Sequence, residues 1–220
     1  MRALIKSAAF AGMVAVVPYV GAAQDWDGPY GGFTLGYAFH DTSHSFSNLA
    51  PGVSTDPDGL LYGAFLGYAI QNGRTVFGAE ADFEGSTASG TDVNVTGATS
   101  GARMEQNWQG SIRAVLGFAG NLGPNPALYY GTLGWAFADY DFNGGPSVGF
   151  LANSYSDSLD GWTIGLGVDT RVSTDWALRA EYRYTDYGNA NGQLAPGFPG
   201  VSMPVSVKQH ALRVGLRRDF

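Results

Sequence analysis

From Gly32 to Phe39 the chain alternates between small and bulky positions. Phe33, Leu35, Tyr37 and Phe39 fall at every second residue, with Gly32, Thr34, Gly36 and Ala38 between them. A period of two marks a β-strand whose faces meet different surroundings. The pattern recurs seven more times. Leu60–Ile70 sets Tyr62, Leu66, Tyr68 and Ile70 opposite Gly63 and Gly67. Arg74–Ser86 sets Phe77, Ala79, Ala81 and Phe83 opposite Glu80, Asp82 and Glu84. Asn107–Phe118 sets Trp108, Ile112, Ala114, Leu116 and Phe118 against Gln109, Ser111 and Arg113. Ala127–Tyr140 sets Tyr129, Leu133, Trp135 and Phe137 against Tyr130 and Thr132. Leu159–Thr170 sets Trp162, Ile164, Leu166 and Val168 against Thr163 and Asp169. Asp175–Tyr187 sets Trp176, Leu178, Ala180, Tyr182 and Tyr184 against Arg179, Glu181 and Arg183. The closing His210–Phe220 sets Leu212, Val214, Leu216 and Phe220 against Arg213, Arg217 and Asp219.

Eight segments of about ten residues, apolar on one face and polar on the other, are what a transmembrane β-barrel requires. A sheet in lipid cannot leave its edges unpaired, so it must close, and an even count permits closure. The connectors support the same architecture. Long stretches (41–59, 87–106, 141–158, 188–207) alternate strictly with short ones (71–73, 120–126, 171–174). Bacterial barrels have short periplasmic turns and long outer loops. A soluble barrel has no cause to alternate its connectors and would turn its apolar face inward. Aromatics near segment ends (Tyr30, Phe39, Trp108, Trp162, Trp176, Phe220) predict interfacial girdles. The expected fold is all-β: an eight-stranded antiparallel transmembrane barrel.

Composition agrees. Only 14% of residues are charged while 14% are aromatic and 33 are Gly, against roughly 25% charged in ordinary soluble domains. No Cys is present, which excludes disulfides, thiolate metal sites and cysteine nucleophiles. The formal net charge of -7 argues against nucleic acid as a partner. Arg2 and Lys6 precede the apolar "AAFAGMVAVVPYV", and Gly21 and Ala23 suit cleavage before Gln24. Residues 1–23 are therefore expected to be a signal peptide and 24–220 the barrel domain. A retained membrane helix fits less well, because Pro18 interrupts a run already short of the roughly 20 residues a span needs.

The stretches "GPYGGFTLGYAF", "FGAEADFEGS", "GSIRAVLGFA", "LYYGTLGWAFAD", "GWTIGLGVD", "WALRAEYRYTDYG" and "RVGLRRDF" together resemble the small outer-membrane barrels of alphaproteobacteria. These are immunogenic surface proteins of the OmpA-like and opacity-protein superfamily, grouped with the porin family. The resemblance covers essentially the whole mature chain. It implies residence in the outer membrane, contact with its lipid and lipopolysaccharide, and a terminal Phe220 read by the barrel-assembly machinery. Arg218 departs from the pattern, standing at a lipid-facing position where the family has an aromatic. Near the strand end it can snorkel to the headgroups.

Several residues carry candidate chemistry. Glu80, Asp82, Glu84, Asp169 and Glu181 share the inner face with Arg113, Arg179, Arg183, Arg213 and Arg217. An eight-stranded barrel is just wide enough to be filled by its own side chains, and charges buried there must pair. The cluster is accordingly expected to plug the barrel, with a narrow channel for small solutes as the alternative. "HDTSH" (His40, Asp41, Ser43, His44) contains the residue types of a hydrolase or acyltransferase, and some small barrels modify lipid A. Alternation sends these neighbours to opposite faces, so the reading is a polar loop root, with surface metal or haem binding as a minor alternative. His210 reads as a lone polar residue of the last strand. Asp56 and Asp58 in "STDPDG" lack the further ligands of a calcium loop and read as a solvated turn. The Gly runs "GGFTLG" and "GLGV" precede no helix and therefore cradle no phosphate. They read as small inward residues beside bulky partners. No catalytic residue, cofactor or metal is expected. The outer loops, with Phe46, Phe150, Tyr155 and Phe198, are the candidate contact surface for host or other cell-surface ligands.

Overall fold

The computed structural model describes residues 25–44, 56–91, 103–143, 154–193 and 202–220. The expected leader 1–23 and the loop positions Phe46, Phe150 and Phe198 lie outside the described residues. The strands are β1 (Gly28–His44), β2 (Gly59–Asn72), β3 (Thr75–Ser86), the short β4 (Ser89–Thr91), β5 (Arg103–Leu122), β6 (Asn125–Asn143), β7 (Ser154–Arg171), β8 (Trp176–Gln193) and β9 (Ser202–Asp219). Every pairing is antiparallel. The order β3-β2-β1-β9-β8-β7-β6-β5 closes on itself through a β3–β5 ladder, giving a ring of eight strands with β4 laid against β5. Closure removes the edges that an open sheet would expose.

The alternation fixes which way each residue faces. Phe33 is 71% exposed on the outside and Val214 61%, while the alternate Arg113, Arg213 and Arg217 are 1–2% exposed inside. Two of the three short connections turn on glycines in the left-handed region, Gly73 (φ 61°) and Gly123 (φ 63°), where a side chain would be strained. The third spans residues 172–175, with Val172 N–H donating to the Trp176 carbonyl. The start of β1 and the end of β9 meet at this turn end, where Phe220 N–H donates to Pro29 O at 3.1 Å.

Strand ends depart from the pattern read in the sequence. The strands of the ring are 12–20 residues long, because backbone pairing continues past the apolar band into residues read as loop. β6 pairs with β7 up to Asn143↔Ser154, and β8 with β9 up to Gln193↔Ser202. The β7–β8 ladder stops sooner, at Trp162↔Asp186, and β1–β2 stops at Ala38↔Gly59. Above the apolar band the wall therefore continues as separate sheets. A ladder needs only backbone groups, so polar sequence does not end it. A second correction concerns Tyr30, expected at a rim. It points inward and is 3% exposed, because its position continues the inner face of Gly32 and Thr34.

Candidate functional site

The inner face carries a column of charge. At the turn end Arg217 donates to Asp219 (2.7 Å) and to Asp169 (3.0 Å), and Arg171 also pairs with Asp219. Asp169 next receives Arg179 (2.9 Å), and Arg179 also reaches Glu80 (2.8 Å). Glu80 is shared with Arg113 at 2.5 Å, which bridges onward to Asp82 (3.1 Å) and Glu181 (3.0 Å). Arg183 pairs with the same two carboxylates at 3.1 and 2.7 Å. Glu84 and Arg213 form a bidentate pair, Nε to Oε1 at 2.9 Å and Nη2 to Oε2 at 2.8 Å. All ten residues predicted for the inner cluster thus face the lumen and pair with one another. Five are cations and five anions, with side chains no more than 5% exposed.

Aromatic rings occupy the remaining turn-end space. Arg217 lies 3.7 Å from the Tyr30 ring centroid, and Arg179 lies 4.0 Å from Phe65 and 5.1 Å from Tyr130. Such stacking suits a planar guanidinium held away from water. Trp26, ahead of β1, is wholly buried between Arg171 (4.1 Å) and Arg217 (5.1 Å), and its backbone N–H donates to Gln71 Oε1 (2.8 Å). Glycines make room for these rings. A Cβ at Gly67 would strike the Tyr30 ring, and one at Gly167 the Tyr130 ring. Of "GGFTLG", Gly32 and Gly36 are crowded by inner-face Phe65 and Arg213, whereas Gly31 lies beside the exposed Phe220.

Toward the loop end a series of amides follows, beside a buried apolar cluster that includes Met104, Leu159 and Val207. Gln109 donates to Glu84 (2.6 Å), Gln106 to Gln109 (3.0 Å) and Gln209 to Gln106 (3.2 Å). The series ends at His40, whose Nε2 lies 2.9 Å from Gln209 Nε2 and 3.3 Å from Tyr140 Oη. His40 is 2% exposed and faces the lumen, which corrects its reading as a loop-root residue. Position 40 continues the inner parity of Gly36 and Ala38. Asp41 faces outward, as alternation requires, and approaches His210 at 3.6 Å. His210 is not solitary either: Tyr182 Oη lies 2.7 Å from its Nδ1. The "STDPDG" segment is not a free turn. Asp58 Oδ1 accepts from His40 N–H (3.3 Å) and Asp56 Oδ1 from Thr42 N–H (3.2 Å), while Pro57 O contacts His40 Nδ1. Partial burial pushes the Asp58 carboxyl above the usual range, against the pull of the His40 N–H.

The sequence reading missed Trp26, Gln106, Gln209 and Tyr187. Parity from Arg213 and Arg217 would have found Gln209, and parity from Arg179 and Arg183 would have found Tyr187. Gln106 is hidden by a register shift between Gln106 and Trp108, which moves it to the inner face out of step with Gln109.

A closed ring with an apolar outer band and a charged inner column meets its counterpart among known proteins. The family model described as the outer membrane protein beta-barrel domain matches residues 7–220. The chain belongs to the outer-membrane β-barrel family. It is 30% identical over 208 residues to the 31 kDa outer-membrane immunogenic protein of Brucella melitensis, covering 89% of this chain and 84% of that one. It is 31% identical over 156 residues to a 22 kDa outer membrane protein of Rhizobium leguminosarum, covering 71% and 64%. Among solved structures it is similar in fold to OprG of Pseudomonas aeruginosa, at a TM-score of 0.58 and 14% identity, covering 88% and 96%.

As an outer-membrane barrel the molecule acquires an orientation: the short turns, the start of β1 and the end of β9 face the periplasm, the long connections the exterior. Arg218 then stands at the periplasmic interface, its guanidinium 5.5 Å from the centroids of both Trp176 and Phe220. Stacking between two interfacial rings is what a snorkelling arginine finds there.

Proposed function

We propose that this outer-membrane barrel is a closed scaffold, its lumen plugged by its own side chains, that serves envelope integrity and carries its outer connections as a surface for host or other cell-surface ligands. The observation that carries this reading is the balance of the inner column. Five guanidiniums meet five carboxylates in direct pairs. A conducting pore needs unpaired or hydrated charge to escort an ion, whereas a column whose members satisfy one another fills the cross-section. Lipid and lipopolysaccharide surround the apolar band, and Phe220, 74% exposed at the periplasmic end, is the residue offered to the assembly machinery.

One observation favours a narrow channel as the second reading. Buried Arg113 Nε, Arg213 Nη1 and Trp26 Nε1 have no hydrogen-bond partner among the described residues, and such donors call for water. Single-channel recording of refolded residues 24–220 in a planar bilayer separates the two, with folding verified by the gel shift on boiling. Silence is expected. Discrete, reproducible steps that change in Glu80→Ala would replace the plug with a channel. A lipid A-modifying role is tested separately: an unchanged lipid A profile after deletion of the protein removes it.

A further inference from the structure

The amides at the outer mouth all point one way. Glu84, held as a carboxylate by Arg213, can only accept, so Gln109 must present its NH2 group to it at 2.6 Å. That leaves Gln109 Oε1 to accept from Gln106 Nε2 (3.0 Å) and from Tyr187 Oη (3.3 Å). Gln106 Nε2 also donates to Tyr140 Oη at 3.0 Å, and that hydroxyl lies 3.3 Å from His40 Nε2. Gln106 Oε1 in turn accepts from Gln209 Nε2, whose second hydrogen faces His40 Nε2. The Gln209 NH2 group thus donates to Nε2, which must therefore be the unprotonated nitrogen. The proton sits on Nδ1 and is donated to the carbonyl of Pro57. An acceptor deep in the lumen thereby selects the tautomer that fastens the first outer connection.

We propose that His40 is an acid-released latch: neutral, it ties residues 56–58, which lead into β2, to the outer end of β1, and protonated, it releases that tie while the bridge from Asp58 to Ser89 remains. A proton on Nε2 would face the NH2 of Gln209 at 2.9 Å. Turning the Gln209 amide sets its oxygen against Gln106 Oε1, and turning Gln106 passes the conflict to Gln109. The series ends at Glu84, which has no donor to offer. Protonation cannot be absorbed by reorientation, so the ring must leave its seat and its bond to Pro57 is lost. Among the described residues the ionisable groups around the ring are Asp56 and Asp58 from the latched segment, Tyr140 from β6, and Tyr187, whose ring lies 6.0 Å from that of Tyr140. Asp41 faces the opposite side of β1. The two aspartates favour a charged ring, while burial and the Gln209 NH2 group oppose it. The latch is independent of whether the lumen conducts.

The chain has three histidines, so their ring nitrogens are readily assigned by NMR in the refolded, 15N-labelled full mature protein. Near neutral pH the His40 ring is expected to carry its proton on Nδ1. On acidification from about pH 7 to about pH 3, a span that reaches below ordinary histidine titration because burial holds the His40 ring below its usual range, its titration is expected to coincide with a roughly tenfold loss of exchange protection at the His40 and Thr42 amides, the scale of one net hydrogen bond. His40→Gln keeps a donor for Pro57 and an acceptor for Gln209 but cannot be protonated, so the transition should vanish, whereas His44→Gln and His210→Gln should retain it. A proton on Nε2 at neutral pH, His40 titrating with no change at 56–58, or a transition that persists in His40→Gln would each overturn the latch. The last outcome would assign the release to Asp56 or Asp58.

Discussion

Replacing Arg213 with Met tests the closed lumen through its energetics. Arg213 on β9 reaches across to Glu84 on β3 through two charge-assisted bonds of 2.9 and 2.8 Å, with both side chains 1% exposed. Met fills most of the aliphatic stem but leaves Glu84, among the described residues, with Gln109 (2.6 Å) and Thr34 (3.1 Å) as hydrogen-bond partners and no paired cation. An uncompensated charge in such a site costs about 3–5 kcal/mol. The double variant Glu84→Gln/Arg213→Met removes both charges and keeps polar partners for Gln109 and Thr34. Its cost should fall to about 1–2 kcal/mol, close to that of hydrogen bonds alone. Reversible urea unfolding in lipid vesicles, followed by Trp fluorescence and by the gel shift on boiling, measures both. If Arg213→Met costs less than about 1 kcal/mol and the two substitutions add, then Glu84 is hydrated and the plugged lumen is refuted.

Three further outcomes are expected. Gly67→Ala should destabilise the barrel by about 1–3 kcal/mol through overpacking against Tyr30, and Tyr30→Leu in the same chain should recover part of that loss in the same assay. Val214→Arg, midway along the lipid-facing side of β9, should cost about 2–4 kcal/mol, whereas Arg218→Leu at the interface should change stability by less than about 1 kcal/mol. Deleting Phe220 should lower the amount of heat-modifiable barrel recovered from outer membranes while leaving refolding in vitro near normal. Equal recovery would remove its role in assembly.

The barrel wall was legible in the sequence because lipid on one side and a packed lumen on the other impose opposite demands on neighbouring residues. Glu80, Arg113, Arg179 and Arg213 fell on the inner face by parity alone. Strand ends were not legible, since Asn189–Gln193 and Ser202–Ser206 pair through backbone groups that composition does not reveal. Tyr30 was misplaced because a tyrosine suits both a membrane rim and an arginine-lined lumen, and only its parity distinguishes them. The outer mouth was hidden for a different reason. "HDTSH" and "STDPDG" look like solvated loop chemistry, and nothing local to either shows that His40 meets Gln209, 169 residues away.

The pairing of the inner column also constrains how the molecule comes into being. Glu84 and Arg213 are 129 residues apart, Glu80 and Arg179 99, and Arg113 and Glu181 68. The ring itself closes between the first strand and the last. None of these three pairs can form until the C-terminal third of the chain is in place; until then Glu84 lacks Arg213, and Glu80 and Arg113 have each other but neither Arg179 nor Glu181. Contacts of such long sequence range make folding slow and concerted. A half-inserted wall would expose lone arginines and carboxylates to lipid, which penalises every partial state. Insertion and closure are thus bound into one event, and the column acts as a checkpoint for a complete chain.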